Sequence, residues 1–136
     1  MKSLTGLVVC ILLLGAAAAV WGQSDADYQS WMKSNGAAAA SLAKNLTAKA
    51  GDAAAMDAKT LQDNMTKVAA YWQAKNVSDA VKFAQDAKSG FAQVAELASA
   101  GKFDDASAAM KTAQTNCGGC HMAHRVREDD GSFKMK

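Results

Sequence analysis

The chain has 136 residues, with 15 basic and 13 acidic side chains, a formal net charge of +2, three cysteines and no proline. That length allows one domain and excludes a multidomain enzyme. The charges are interspersed without a basic stripe, which argues against nucleic acid as a partner.

The first segment, "MKSLTGLVVCILLLGAAAAVWG", carries one lysine, an apolar run and then small residues. It reads as a secretory signal peptide over residues 1–22, cleaved after Gly22 in preference to Ala19, with a mature domain over 23–136. The apolar run is shorter than the about 20 residues of a transmembrane helix, so no stable membrane anchor is expected after cleavage. Cys10 lies between Val9 and Ile11, without the small residue that precedes a lipid-attachment cysteine. Loss of Lys2 leaves 14 basic against 13 acidic residues, and only Cys117 and Cys120 remain as thiols. Exported to the periplasm, those thiols oxidise unless something occupies them.

Alanine crowds the mature sequence, and no segment alternates in the period of a strand, so no strand is expected. Four stripes of three- and four-residue steps predict four helices instead. The first runs Tyr28, Met32, Asn35, Ala39, Leu42, Leu46; the second Ala54, Ala58, Leu61, Met65, Val68, Trp72. The third runs from Val77 through Ala80, Ala84, Ala87, Phe91 and Val94 to Ala98. The fourth is Phe103, Ala106, Met110, Ala113, Cys117, Cys120, His124. Gly51-Asp52, Asn76 with Ser78, and Gly101 punctuate them as helix stops and caps. Such short connections force neighbouring helices antiparallel, and the fold class expected is an all-α, up-down-up-down four-helix bundle. Its seam is small: alanine layers bury little area at about 25 cal/mol per Å². Either the helices lie close together, or the core is marginal, or something large and apolar fills the space.

The fourth stripe leads into "CGGCHMAHR", Cys117 to Arg125. Zinc needs four tetrahedral ligands. Cys120 and His121 are adjacent and diverge on a helix, and no second cluster of ligands exists elsewhere in the mature chain. A thioredoxin-like redox pair normally follows a strand in an α/β domain. The exported Cys-x-x-Cys-His pattern is instead the attachment sequence of a c-type haem. Two thiols one helical turn apart suit the two vinyl groups on one porphyrin edge, and the following imidazole reaches iron. Gly118 and Gly119 cost roughly 1 kcal/mol each in a helix, but they clear the ring edge. One covalently bound haem is therefore the cofactor expected, on Cys117 and Cys120, with His121 as an axial ligand.

Only 15 residues follow His121, too few for a sixth ligand far downstream. A haem motif on the last helix of a four-helix bundle resembles the class II cytochromes c, the cytochrome c′ family. The resemblance covers about Asp25 to Arg127. It is strong at "CGGCHMAHR", where Arg125 stands four after His121 as the family's basic residue does, and weaker at "DYQSWMKSNGAAAASL". Two departures stand out: His124 replaces an aromatic usual three residues after the haem histidine, and the connection at Lys75 to Val77 is short.

The resemblance places Met32 at the distal position, where low-spin members bind iron through a methionine and high-spin members leave iron five-coordinate. Met32 lies on the core stripe, and a thioether is a soft ligand that raises the reduction potential. Of the other methionines, Met110 and Met122 share the haem's own helix, Met135 lies in a polar tail, and Met56 and Met65 are on the second helix. The alternative for any of them is packing. Arg125 is a haem-pocket candidate, for a propionate or for shielding His121, against the alternative of a favourable charge in a last helical turn. His124, one turn beyond His121, borders a propionate or solvent. Trp31 and Trp72 read as packing.

The function expected is one-electron transport with unidentified redox protein partners, and no catalytic pair marks an enzyme. The alternatives are binding or scavenging of a diatomic gas (nitric oxide or carbon monoxide) and a structural bundle whose haem completes its core. The sequence leaves a homodimer open.

Overall fold

Ser24 opens the first helix, α1 (Asp25–Thr47). Its hydroxyl accepts the Asp27 N–H at 3.1 Å, and the Asp27 carboxylate accepts the Ser24 N–H at 2.9 Å. This reciprocal pair satisfies donors that a first turn leaves free. The computed structural model describes residues 22–136. The expected signal peptide, Cys10 included, therefore lies outside the described residues except for Gly22. Three more helices follow: α2 (Gly51–Ala74), α3 (Ser78–Ser99) and α4 (Phe103–His124). None of them is long and apolar enough to cross a membrane.

The three connections share one geometry. Their middle residues, Lys49, Asn76 and Gly101, are left-handed, with φ of 56°, 58° and 73°. In each, the next residue's N–H reaches back across the turn: Ala50 to the Asn45 carbonyl at 2.9 Å, Val77 to Trp72 at 3.1 Å, Lys102 to Leu97 at 2.9 Å. The middle N–H groups bond Leu46, Gln73 and Ala98. These are Schellman closures, which satisfy the carbonyls that a helix end leaves free. The expected punctuation is corrected at the starts of α2 and α3: their N-cap positions are Ala50 and Val77, without a side-chain cap, and Asp52 and Ser78 lie inside the helices. Gly51 does not stop α1 but opens α2, and Lys49 takes the left-handed position without a glycine's freedom.

The fold is an all-α four-helix bundle. Consecutive helices pack along their lengths, while α1 and α4 touch only sparingly. Every stripe position in α2 and α3 is buried, and Val77, just before α3, is half-buried. In α1, Tyr28, Leu42 and Leu46 are buried but Met32, Asn35 and Ala39 only half so, because they face the gap toward α4. Small side chains bring α3 and α4 together: a Cβ on Gly90 would sit 2.7 Å from the Ala113 Cβ. The bulk of the core comes from aromatics. Tyr28 and Tyr71 lie 4.5 Å apart, with Trp72 edge-on to both. The Tyr71 hydroxyl donates to Asp25 at 2.6 Å, tying the end of α2 to the start of α1.

The expectation of no strands is overturned at the C-terminus. Strands β1 (Arg125–Arg127) and β2 (Phe133–Met135) pair antiparallel, with Val126 opposite Lys134. Gly131, at φ 85°, turns the chain between them, and the Asp130 carboxylate accepts the Ser132 N–H at 2.8 Å. The expected polar tail is thus a hairpin folded back on the bundle. Gln29 of α1 donates to the Phe133 carbonyl at 3.2 Å, and Met135 packs on the core.

Candidate functional site

A cavity of about 320 Å³ opens between α1 and α4, where the bundle is least closed. Cys117, Cys120, His121, Arg125 and Met32 all line it. The five residues singled out in the sequence therefore meet at one place. The volume falls at the low end of the about 300–1,000 Å³ of small-molecule and cofactor sites. The walls are mostly apolar: Leu61, Met65 and Val68 from α2, and Phe83, Ala84, Ala87 and Phe91 from α3.

Helical periodicity accounts for how α4 presents its motif. Cys117 and Cys120 stand one turn apart on the face turned to the cavity, and both are free thiols. Burial pushes the Cys120 thiol up to about 11, with Cys117 adding to the shift, and burial raises Cys117 too. A thiol raised in this way is a poorer nucleophile than a depressed one. Among the described residues no group of three His, Cys, Asp or Glu side chains converges. Burial, and then the charge of Arg125, lower the pKa of His121 below its ordinary value. That shift favours the neutral imidazole, whose lone pair can hold a metal.

The glycines between the cysteines are not equivalent. A Cβ on Gly118 would meet nothing, but one on Gly119 would lie 2.7 Å from the Phe83 ring. Gly119 lets α4 sit against that aromatic wall, so the requirement is a close approach within the bundle.

Arg125 departs from expectation in its local structure. Helix α4 ends at His124, and Arg125 is extended at φ −118°, ψ 134°, opening β1 rather than ending a helical turn. The hairpin then places Phe133 beneath its guanidinium, 4.0 Å from carbon to ring centroid. This holds a cation at the cavity rim, since an arginine stacks on an aromatic face.

His124 does not line the cavity. Its Nε2 lies 2.8 Å from the Asp79 carboxylate at the start of α3, and its ring packs 5.2 Å from Trp72. It thus fills an aromatic's place in the packing while pinning α4 to α3. The hydrogen bond with His124 holds the Asp79 carboxyl below its ordinary 3.8, and Tyr71 does the same for Asp25. A lowered carboxyl pKa stabilises the fold fully above the unfolded value and loses that contribution as pH falls through the folded one. Melting temperature should therefore fall as pH drops below about 4, and Asp79→Asn should flatten part of that slope. Both carboxylates are exposed, so the effect is modest.

The remaining methionines sort by position. Met56 and Met122 are exposed, at 72% and 84%, and Met110 is buried away from the cavity. Met65 lines the cavity from α2 and was not singled out as a ligand, although its stripe position in α2 is the signal for it. Two thioethers therefore reach this space. Asn35 lines it as well.

No family model, no curated protein and no solved structure matches the chain significantly.

Proposed function

We propose that this is an exported c-type haem protein that carries one electron, similar to the class II cytochromes c. The observation that supports it best is the meeting of Cys117, Cys120 and His121 with the Met32 thioether of another helix in one largely apolar cavity. The residues fit such a group. Cys117 and Cys120 would hold such a group through thioether bonds, each thiol adding across one vinyl double bond. His121 would supply a ring nitrogen to its iron, and Met32 a sulfur from the α1 wall. Arg125 stands ready for a carboxylate at the rim. Haem, when bound, supplies the one-electron iron couple, whose potential depends on axial ligands and burial. The chain's part is to hold it, exclude water from it and keep one edge near solvent for a redox partner. A second reading, binding of a diatomic gas in the same cavity, is favoured by the amide of Asn35 in its wall.

The test is the mass of the protein isolated from the periplasm of an expressing cell with its haem-attachment machinery. A mature chain plus one haem that survives acid-acetone extraction is expected. Extractable haem, or a chain of unmodified mass, would sink the proposal.

A further inference from the structure

Among the described residues, two buried side-chain nitrogens lack a hydrogen-bond partner, Asn35 Nδ2 and Trp72 Nε1. Only Asn35 lines the cavity. Its orientation is set from behind. Asn64, 6% exposed, donates its amide to Asn35 Oδ1 at 2.9 Å and to Ser34 Oγ at 3.0 Å. With Asn64 donating as placed, turning the Asn35 amide over alone would set donor against donor, so its N–H₂ is left without a side-chain partner. An occupant of the cavity bearing an acceptor atom can take that hydrogen bond.

Asn35 follows Met32 by three residues and so shares its face of α1. His121 belongs to α4, across the cavity. We propose that Asn35 is the hydrogen-bond donor to a small anionic or dipolar ligand bound at the position Met32 would otherwise fill. Asn64 is its positioning residue. The proposal rests on the haem reading and adds a ligand class to it: species with an acceptor at the end remote from iron. Cyanide belongs to that class. Imidazole does not, since its remote nitrogen carries a hydrogen and gains nothing from a donor.

The experiment titrates the ferric holoprotein with cyanide and with imidazole, after mass spectrometry has established one attached haem per chain. In Asn35→Leu, cyanide affinity should fall about tenfold, the equivalent of one hydrogen bond to a charged group, while imidazole affinity stays. Asn64→Leu leaves the donor but frees it to turn, and should weaken cyanide by a smaller factor. It carries the same comparison if Asn35→Leu does not fold. A cyanide-to-imidazole ratio unchanged in the folded variants, or no cyanide binding even by Met32→Ala, overturns the assignment of Asn35. A chain without covalent haem overturns the reading beneath it instead.

Discussion

On the haem reading, replacing Cys117 and Cys120 together by alanine should give a chain that carries no covalent haem and loses several kcal/mol of stability relative to the haem-loaded protein. The seam between α1 and α4 is sparse, and the cavity between them measures about 320 Å³. Residual cavity in a core costs about 24 cal/mol per Å³ when it stays empty. Water entering an open cavity reduces that figure, but the remainder is a large share of a total near 5–15 kcal/mol. The loss should also be uneven. Helices α2, α3 and α4 pack along their lengths, whereas α1 depends on α2 and on the Tyr28–Tyr71–Trp72 cluster. Hydrogen exchange should therefore show α1 and the hairpin opening first, since local stability follows local packing. A double variant that melts cooperatively at the holoprotein's temperature would show that the small core suffices alone.

The same packing explains what could be read in the sequence. The stripes of α2 and α3 were legible because both helices have a packed neighbour on either side, so their apolar positions are buried even where they line the cavity. The stripe of α1 was legible as a helix but misleading as a core, because Met32, Asn35 and Ala39 face a cavity. Tyr71 was missed since it lies beside the stripe, and its burial depends on Asp25 accepting its hydroxyl across the bundle. That is a tertiary event with no local signature. The hairpin had one: Asp130-Gly131 between Arg-Val-Arg and Phe-Lys-Met is a turn flanked by extended residues. It yields to the helix pattern only as far as His124, where the chain turns away and carries Arg125 to the rim. The convergence of Cys117, Cys120 and His121 followed from helical spacing. That Met65 also reaches the cavity depended on how α2 rotates in the bundle, which a single stripe cannot fix.

Met32→Ala should convert the haem spectrum from low-spin to high-spin, lower the reduction potential and raise carbon monoxide affinity, while Met65→Ala leaves all three unchanged. Met32 is half-buried on α1 and Met65 is 5% exposed on α2, and both line the cavity. The difference lies in their surroundings. Met65 is packed into the core on the α2 stripe, whereas Met32 stands on the wall beside the α1–α4 gap, where its sulfur can move to a metal without opening the core. Methionine is unbranched and adapts readily to such a move. A bound thioether favours reduced iron, so losing it lowers the potential. It also competes with any diatomic for the same position. Sulfur binding worth even about 1.4 kcal/mol costs an incoming gas tenfold in affinity, and Met32→Ala returns at least that factor. The pair of variants separates the readings. A response confined to Met65→Ala assigns the sixth ligand to α2. A wild type already five-coordinate, binding carbon monoxide as fast as Met32→Ala, leaves both sulfurs as packing. The cavity then belongs to gas binding, with Asn35 as the polar group facing the ligand.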